Sequence, residues 1–263
     1  MSWETVVRRR VVEVVQGERR EKEDALLTEV PLTLEVNGQE FVTLLCTPTA
    51  LEDLVYGFLF SEGLIDEAGD LLRLEIDAEA QRAAVRTRQA DLLAAKLYGK
   101  RTITTGCGRG TIFYHLNDAL KTRPVTAEWS VSAETIFEAL RRWGDKCDLF
   151  AETGCPHSAA LVAGDGGIAC LAEDLGRHNA VDKVIGRSVR EGWSRADKCL
   201  VTTGRISSEI LVKAARAGVP VLISRSAATG LAVALAEELG ITAVGFVRGR
   251  RLVVYSHPER ITP

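Results

Sequence analysis

No stretch of this 263-residue chain is apolar over the ~18 residues that a membrane-crossing helix needs. The N-terminal MSWETVVRRRVVEVVQGERREKED breaks its valine pairs with Arg and Glu, so it also lacks the apolar h-region of a secretory signal. Neither export nor membrane spanning is expected, and the expected location is the cytoplasm. An internal repeat and a long polar tract are missing too. With 46% hydrophobic and 26% charged residues the composition is that of a globular protein. The net charge is only −3, which supplies no global attraction for nucleic acid, and none is expected as a partner. The six cysteines, at 46, 107, 147, 155, 170 and 199, form neither a C-x-x-C pair nor a small disulfide scaffold. Most are therefore expected to be reduced, buried and inert. Without C-x-x-C there is no P-C-x-x-C zinc-ligand pair, which argues against a zinc deaminase, and no metal site is expected. A lysine-bearing Walker loop is lacking as well, so ordinary NTP hydrolysis has no support.

What is present reads as two domains, consistent with a length above the usual single-domain size. Arg8 to Val15 is strand material, and Pro31 to Val36 runs into Asn37-Gly38, a two-residue hairpin signal before FVTLLCTP. Thr49 to Gly63 carries apolar residues at helical spacing, with Thr49 as the expected N-cap. Residues 71–76 and 81–87 alternate as a second hairpin, and 91–98 reads as a short helix. A composition shift at Arg123-Pro124 sets the boundary: a smaller N-terminal α+β domain over 1–125 and an α/β domain over 126–263. In the second, Ser132 caps a helix to Gly144 with Ile136, Phe137, Leu140 and Trp143 on one face. Strand-like runs SAALVA, GIACLAE, KCLVTTG, VPVLISR, ITAVGFV and RLVVYS then alternate with helices over Ala180 to Arg190, Ser207 to Ala217 and Gly230 to Leu239. Such alternation predicts a parallel or mixed sheet with flanking helices.

Five segments carry candidate chemistry. In TTGCGRG (104–110) glycines leave the Cys107 thiol free of bulky neighbours, and Arg101 and Arg109 favour a thiolate; a glycine turn with an incidental cysteine is the plain alternative. ETGCPHSAAL (152–161) puts Cys155 and His157 in a turn before a strand, where α/β proteins place reacting groups or merely satisfied surface residues. EDLGRHNAVDKVIG (173–186) packs Glu173, Asp174, Arg177, His178, Asn179, Asp182 and Lys183 into 11 residues, either an anion-binding helix start or a self-paired solvated one. TTGRISSE (202–209) joins hydroxyls, a glycine and a helix start, a combination suited to phosphate or a guanine edge. SRSAATG (224–230) and GFVRGRRLVVY (245–255) complete the set. The latter holds Arg248, Arg250 and Arg251 around Gly249, suited to a diphosphate or simply an exposed basic turn.

Taken together, TTGCG, TG-x-x-H, E-D-x-G-R-H-N-A-x-D-K, T-G-R-I-S-S-E, S-R-S-A and G-F-x-R-G-x-R, with NG-x-E, CTP and GFLFSEG before them, resemble the formate dehydrogenase accessory sulfurtransferase family (FdhD) over residues 25–256. The resemblance implies a cytidine-deaminase-like C-terminal fold and a homodimer. It further implies a sulfurtransferase that takes sulfur from a cysteine desulfurase as a persulfide on Cys107. The acceptor would be the molybdenum cofactor in its bis-molybdopterin guanine dinucleotide form, before insertion into formate dehydrogenase. Phe246, Val247, Arg248, Gly249, Arg250 and Arg251 match the family's cofactor-binding segment, and a guanine nucleotide is the expected ligand class. Many members have a second cysteine three positions after the first, where this chain has Gly110. That loop therefore lacks the second cysteine of a two-cysteine relay, and Cys155 becomes the candidate resolving thiol. Two other readings stand beside this one: a non-catalytic chaperone for the cofactor, and a cysteine hydrolase pairing Cys107 with His157 or His178.

Overall fold

The computed structural model describes residues 3–88 and 124–263, with the backbone of Thr102–Ile103 and Thr111–Ile112 between them. The N-terminal part opens on an antiparallel ribbon, β1 (Val6–Val15) and β2 (Glu18–Leu27), joined through Gln16 and Gly17, both at positive φ. Next come β3 (Val30–Val36), β4 (Gln39–Cys46), α1 (Leu51–Ser61), β5 (Leu71–Asp77) and β6 (Arg82–Thr87), which form a sheet in the order β4-β3-β6-β5. Asn37 and Gly38, at φ 52 and 82, make the β3–β4 turn expected of Asn-Gly. Thr102–Ile103 (β7) and Thr111–Ile112 (β8) pair antiparallel. Cys107, Arg101, Arg109, Gly110 and the expected 91–98 helix lie outside the described residues.

The second part contains β9 (Val131–Ser132), α2 (Ala133–Gly144), α3 (Asp148–Thr153), β10 (His157–Ala163), β11 (Ile168–Asp174) and α4 (Arg177–Arg190). It continues with β12 (Lys198–Thr202), α5 (Ser208–Arg216), β13 (Val221–Ser224), α6 (Gly230–Leu239), β14 (Thr242–Arg248), β15 (Arg251–Val254) and β16 (Ile261–Thr262). A six-stranded mixed sheet runs β11-β10-β12-β13-β14-β15, with β12, β13 and β14 parallel and the remaining pairings antiparallel. Side-chain alternation divides the layers. Ala159, Leu161, Leu200, Leu222 and Ala243 join the core with α1, α4, α5, α6 and the N-terminal sheet. Ala160, Val162, Val201, Ile223 and Val244 face α2 through Ile136, Leu140 and Trp143. The architecture is the mixed α/β one expected, and the larger core cluster takes residues from both sides of position 125.

Side-chain caps set three helix starts: Ser132, as the sequence suggested, accepts from Thr135 N–H, Ser207 accepts from Ile210 N–H and Thr229 from Ala232 N–H. Four details differ. Ala50, not Thr49, is the N-cap of α1, while Thr49 Oγ1 accepts from Lys183. The strand β2 is composed as ERREKEDALL and is mostly exposed, so no apolar alternation announced it. The six-residue α3 buries no residue and left no periodic signal. Finally, α4 starts at Arg177, three residues before the expected Ala180.

The two parts meet where α1 crosses α4. A Cβ on Gly57 would lie 1.8 Å from the Asp182 carbonyl oxygen, and one on Gly186 would lie 1.8 Å from that of Asp53. Each glycine thus admits the other helix's backbone where no side chain fits. Buried charges flank this crossing. Lys183 Nζ lies 2.7 Å from Asp174 Oδ2 and donates to the Thr47 and Glu173 carbonyls, at 3.1 and 3.2 Å. Asp174 also receives the N–H groups of Thr47 and Gly176 and the Asn179 amide. Asp182 is held by Lys213 at 2.6 and 2.7 Å and by the Ser61 hydroxyl at 2.7 Å. Gly57→Ala is expected to destabilise by ~1–3 kcal/mol or more through overpacking. Lys213→Met, which leaves a buried carboxylate, is expected to cost ~3–5 kcal/mol. Both appear as lowered urea midpoints, and an unchanged midpoint for Gly57→Ala would show that the helices separate without cost.

Candidate functional site

Because β12, β13 and β14 are parallel, their carboxyl ends share one edge of the sheet, where β10 begins and β11 ends. That edge is where open α/β sheets hold ligands. It receives TG-C-P-H, the turn after Asp174, Thr203-Gly204-Arg205, Arg225-Ser226 and the β14–β15 turn. A cavity of about 950 Å³ opens there. One wall is apolar, from Phe137, Leu140, Phe150, Pro156 and Val247; Arg141, Arg225, Arg248 and Arg250 supply positive charge, Glu134 and Glu138 negative charge, and Cys155, His157, Thr203, Ser226 and Gly249 complete the lining.

The backbone of the β14–β15 segment is unusual. The strand register slips between Gly245 and Arg248, and Phe246 takes φ 51 with its N–H donating to the Ser226 carbonyl at 3.0 Å. Gly245 is required there, since a Cβ would come within 2.9 Å of that carbonyl oxygen and 2.8 Å of the Tyr255 ring. Gly249, at φ 58, turns the chain. Val247, Arg248, Gly249 and Arg250 line the cavity, whereas Phe246 and Arg251 are exposed and do not. Arg250 forms an ion pair with Glu134 of α2. Arg225 is anchored by α2: its guanidinium lies 5.0 Å from the Trp143 ring centroid and donates to the Leu140 carbonyl at 3.1 Å.

His157 Nδ1 is 3.0 Å from Thr203 Oγ1. Burial, then the nearby charges of Arg177 and His178, hold its pKa below the ordinary 6.5. His178 Nε2 lies 2.6 Å from Glu209 Oε2, pairing the starts of α4 and α5. Burial pushes the Glu209 carboxyl up, but the His178 pair, with Arg177 and Lys213, outweighs it and holds the group below its ordinary range. Gly204 makes room for Arg177, whose Cβ and Cδ would be 2.8 Å from an added Cβ.

The dense polar segment 173–183 divides into two sets. Glu173 accepts the Leu149 and Phe150 N–H groups at 2.9 Å, so it caps α3. Asp174, Asn179, Asp182 and Lys183 belong to the contact between the two parts of the chain, and Arg177 and His178, with Asp174 opposite His157 across the strand pair, reach the neighbourhood of the cavity. The segment is therefore neither wholly an anion site nor a solvated helix end. The contribution of α2 and α3, through Phe137, Leu140, Arg141 and Phe150, left no local signal: helical spacing grouped Phe137 and Leu140 as a core face, without showing that the face ends at a cavity.

The five described cysteines are free thiols. Burial pushes Cys46 up to about 12 and Cys170 up to about 11, and it raises Cys147 and Cys199 as well. These four are poor nucleophiles. Cys155 is exposed and lines the cavity. Among the described residues, no group of three or more His, Cys, Asp or Glu side chains is placed to hold a metal ion. No described helix is long and apolar enough to cross a membrane.

Comparison with known proteins places these features in a family. The FdhD/NarQ family model matches residues 27–262. The sulfur carrier protein FdhD of Geobacillus kaustophilus (strain HTA426) is 42% identical over 99% of both chains, and that of Bacillus subtilis (strain 168) is 43% identical over 94% of both. A crystal structure from Desulfotalea psychrophila, of a protein described as a formate dehydrogenase accessory protein, superposes with a TM-score of 0.81 at 27% identity, covering 98% of this chain and 100% of that one.

Brief treatment of the native protein with iodoacetamide, followed by peptide mass analysis, is expected to modify Cys155 while leaving Cys46, Cys147 and Cys199 unmodified until urea is added. Rapid native labelling of any of those three would contradict their burial.

Proposed function

The chain belongs to the FdhD/NarQ family, and from that premise we propose that it is a sulfur carrier serving formate dehydrogenase, a sulfurtransferase that accepts sulfur on Cys107 and hands it to the molybdenum cofactor. The near full-length identity to proteins named sulfur carrier protein FdhD carries this reading. The donor in this proposal is a cysteine desulfurase bearing a persulfide. The Cys107 thiolate attacks the outer sulfur, the sulfur–sulfur bond to the donor breaks, and the donor leaves as a thiolate while Cys107 holds the new persulfide. Four of the other five cysteines are removed from contention by burial, which supports placing the sulfur on Cys107 with Cys155 as the accessible auxiliary thiol.

The client is Mo-bis-molybdopterin guanine dinucleotide, and the cavity suits its chemistry. Arg141, Arg225, Arg248 and Arg250 match diphosphate charge, and the Phe137, Phe150 and Val247 wall suits planar rings. Among the described residues Arg248 has no ion-pair partner, so its charge is fully available to a ligand, whereas Arg250 must first leave Glu134. This reading extends to a cytoplasmic homodimer with formate dehydrogenase as the recipient of the loaded cofactor. A non-catalytic cofactor chaperone is the second reading, favoured by the charged and apolar groups that the described residues alone bring to the cavity.

Incubation with a cysteine desulfurase and cysteine is expected to add one sulfur to wild type, lost under reductant and in Cys107→Ala. A Cys107→Ala protein that still activates formate dehydrogenase fully would select the chaperone. If Cys155→Ala retains full sulfur transfer, the auxiliary role for Cys155 falls. Arg248→Ala is expected to weaken cofactor binding about tenfold or more while leaving persulfide loading intact, with Arg250→Ala weaker in effect; unchanged affinity in both would remove the diphosphate assignment.

A further inference from the structure

Among the described residues, His157 is the imidazole that opens into the cavity. It begins β10, so the sheet fixes its backbone, and its ring lies against the turn after β12. Thr203 Oγ1, 3.0 Å from Nδ1, also receives the Ser158 N–H at 3.1 Å and has the Ser158 carbonyl 3.5 Å away. A hydroxyl hydrogen rotates freely between acceptors. Turned toward the ring, Thr203 donates to a neutral Nδ1; turned toward the Ser158 carbonyl, it accepts from a protonated Nδ1–H. Both protonation states keep a partner with no movement of ring or backbone.

The fixed charges around the ring oppose its protonation. Arg177 and His178 face it from α4, and Asp174 at the end of β11 acts in the opposite sense with less effect. Glu209 on α5 is engaged by His178. Across the cavity stand Arg225 and Arg248, and the carboxylates there are already engaged, Glu134 by Arg250 and Glu138 by Arg141 and Arg142. An entering anion reverses the balance, because it adds to Asp174 the negative charge needed to outweigh burial and the cations around the ring.

Resting on the reading of this cavity as the diphosphate site, we propose that His157 couples ligand binding to proton uptake: the ring is neutral in the free protein, takes a proton from solvent as an anionic phosphate enters, and pairs with it as an imidazolium. The sign follows from linkage. An anion raises the ring's pKa, so between the free and bound values binding takes up a proton, and affinity falls as pH rises, by at most about tenfold per pH unit. The ligand's own phosphate ionisation, near pH ~6, acts oppositely, since a cationic site prefers the dianion. Comparison with His157→Gln separates the two.

The test is calorimetric titration with guanosine diphosphate in buffers of differing ionisation enthalpy near neutral pH, for wild type and His157→Gln. Wild type is expected to take up more protons per ligand than the variant, which still binds. NMR titration of the His157 ring, identified by the signal absent from the variant, is expected to show a higher pKa with nucleotide than without. Equal proton counts, or a ring titration unmoved by nucleotide, would overturn the coupling while leaving the cavity assignment intact. If wild type fails to bind the nucleotide yet still loads sulfur, the cavity assignment fails and the coupling with it.

Discussion

The contact between α1 and α4 leaves no space for a side chain at its centre. Gly57 and Gly186 each lie against the other helix's backbone at distances that a single methyl group would violate. Such an approach removes the freedom that side-chain packing usually leaves between helices, because backbone positions, not rotamers, fix the separation. The turn preceding α4 is thereby held in place, and with it Arg177 and His178 at one edge of the six-stranded sheet. Thr47, immobilised by Asp174 and Lys183, ties the N-terminal sheet to the same turn. The placement of the site thus depends on a contact far from the cavity's arginines.

Buried charge is the second consequence of that contact. Lys183 and Asp174 are fully buried, and Asp182 and Lys213 nearly so. Such groups are tolerated only when they are paired and hydrogen-bonded; Lys183, Asp174 and Asp182 each have several partners, and Lys213 bonds both oxygens of Asp182. An apolar pair of similar volume could fill the space, but it would not specify which backbone groups of residues 45–49 meet residues 173–183. The polar residues of this segment determine a geometry that hydrophobic contact alone leaves open.

At the sheet edge the electrostatics are unequal by design of the fold. Arg225 is held against Trp143, Arg250 against Glu134, and Arg141 against Glu138, so the lining arginines start from different degrees of neutralisation. Parallel β12 and β13 lead from this edge into α5 and α6, whose N-terminal ends add positive potential in the same region. Thiols are sorted by burial: Cys155 faces the cavity, and the core absorbs Cys46, Cys147 and Cys199 as small apolar groups.

The sequence by itself determined the mixed α/β class, the Asn37-Gly38 turn and the Ser132 cap, because each depends on local periodicity or on groups within a few residues. It also determined the family, since several motifs recur in fixed order. It did not reveal β2, whose charged residues carry no burial pattern, nor α3, which is too short to show a period. Within residues 173–183 it grouped seven polar side chains that only the tertiary structure could divide, because the partners that distinguish them, Thr47, Ser61, Lys213 and Glu209, lie far away in the chain. The cavity likewise required the fold: a sheet edge brings Phe137, Cys155, Thr203, Arg225 and Arg248 together, and no local pattern encodes a contact made between distant strands.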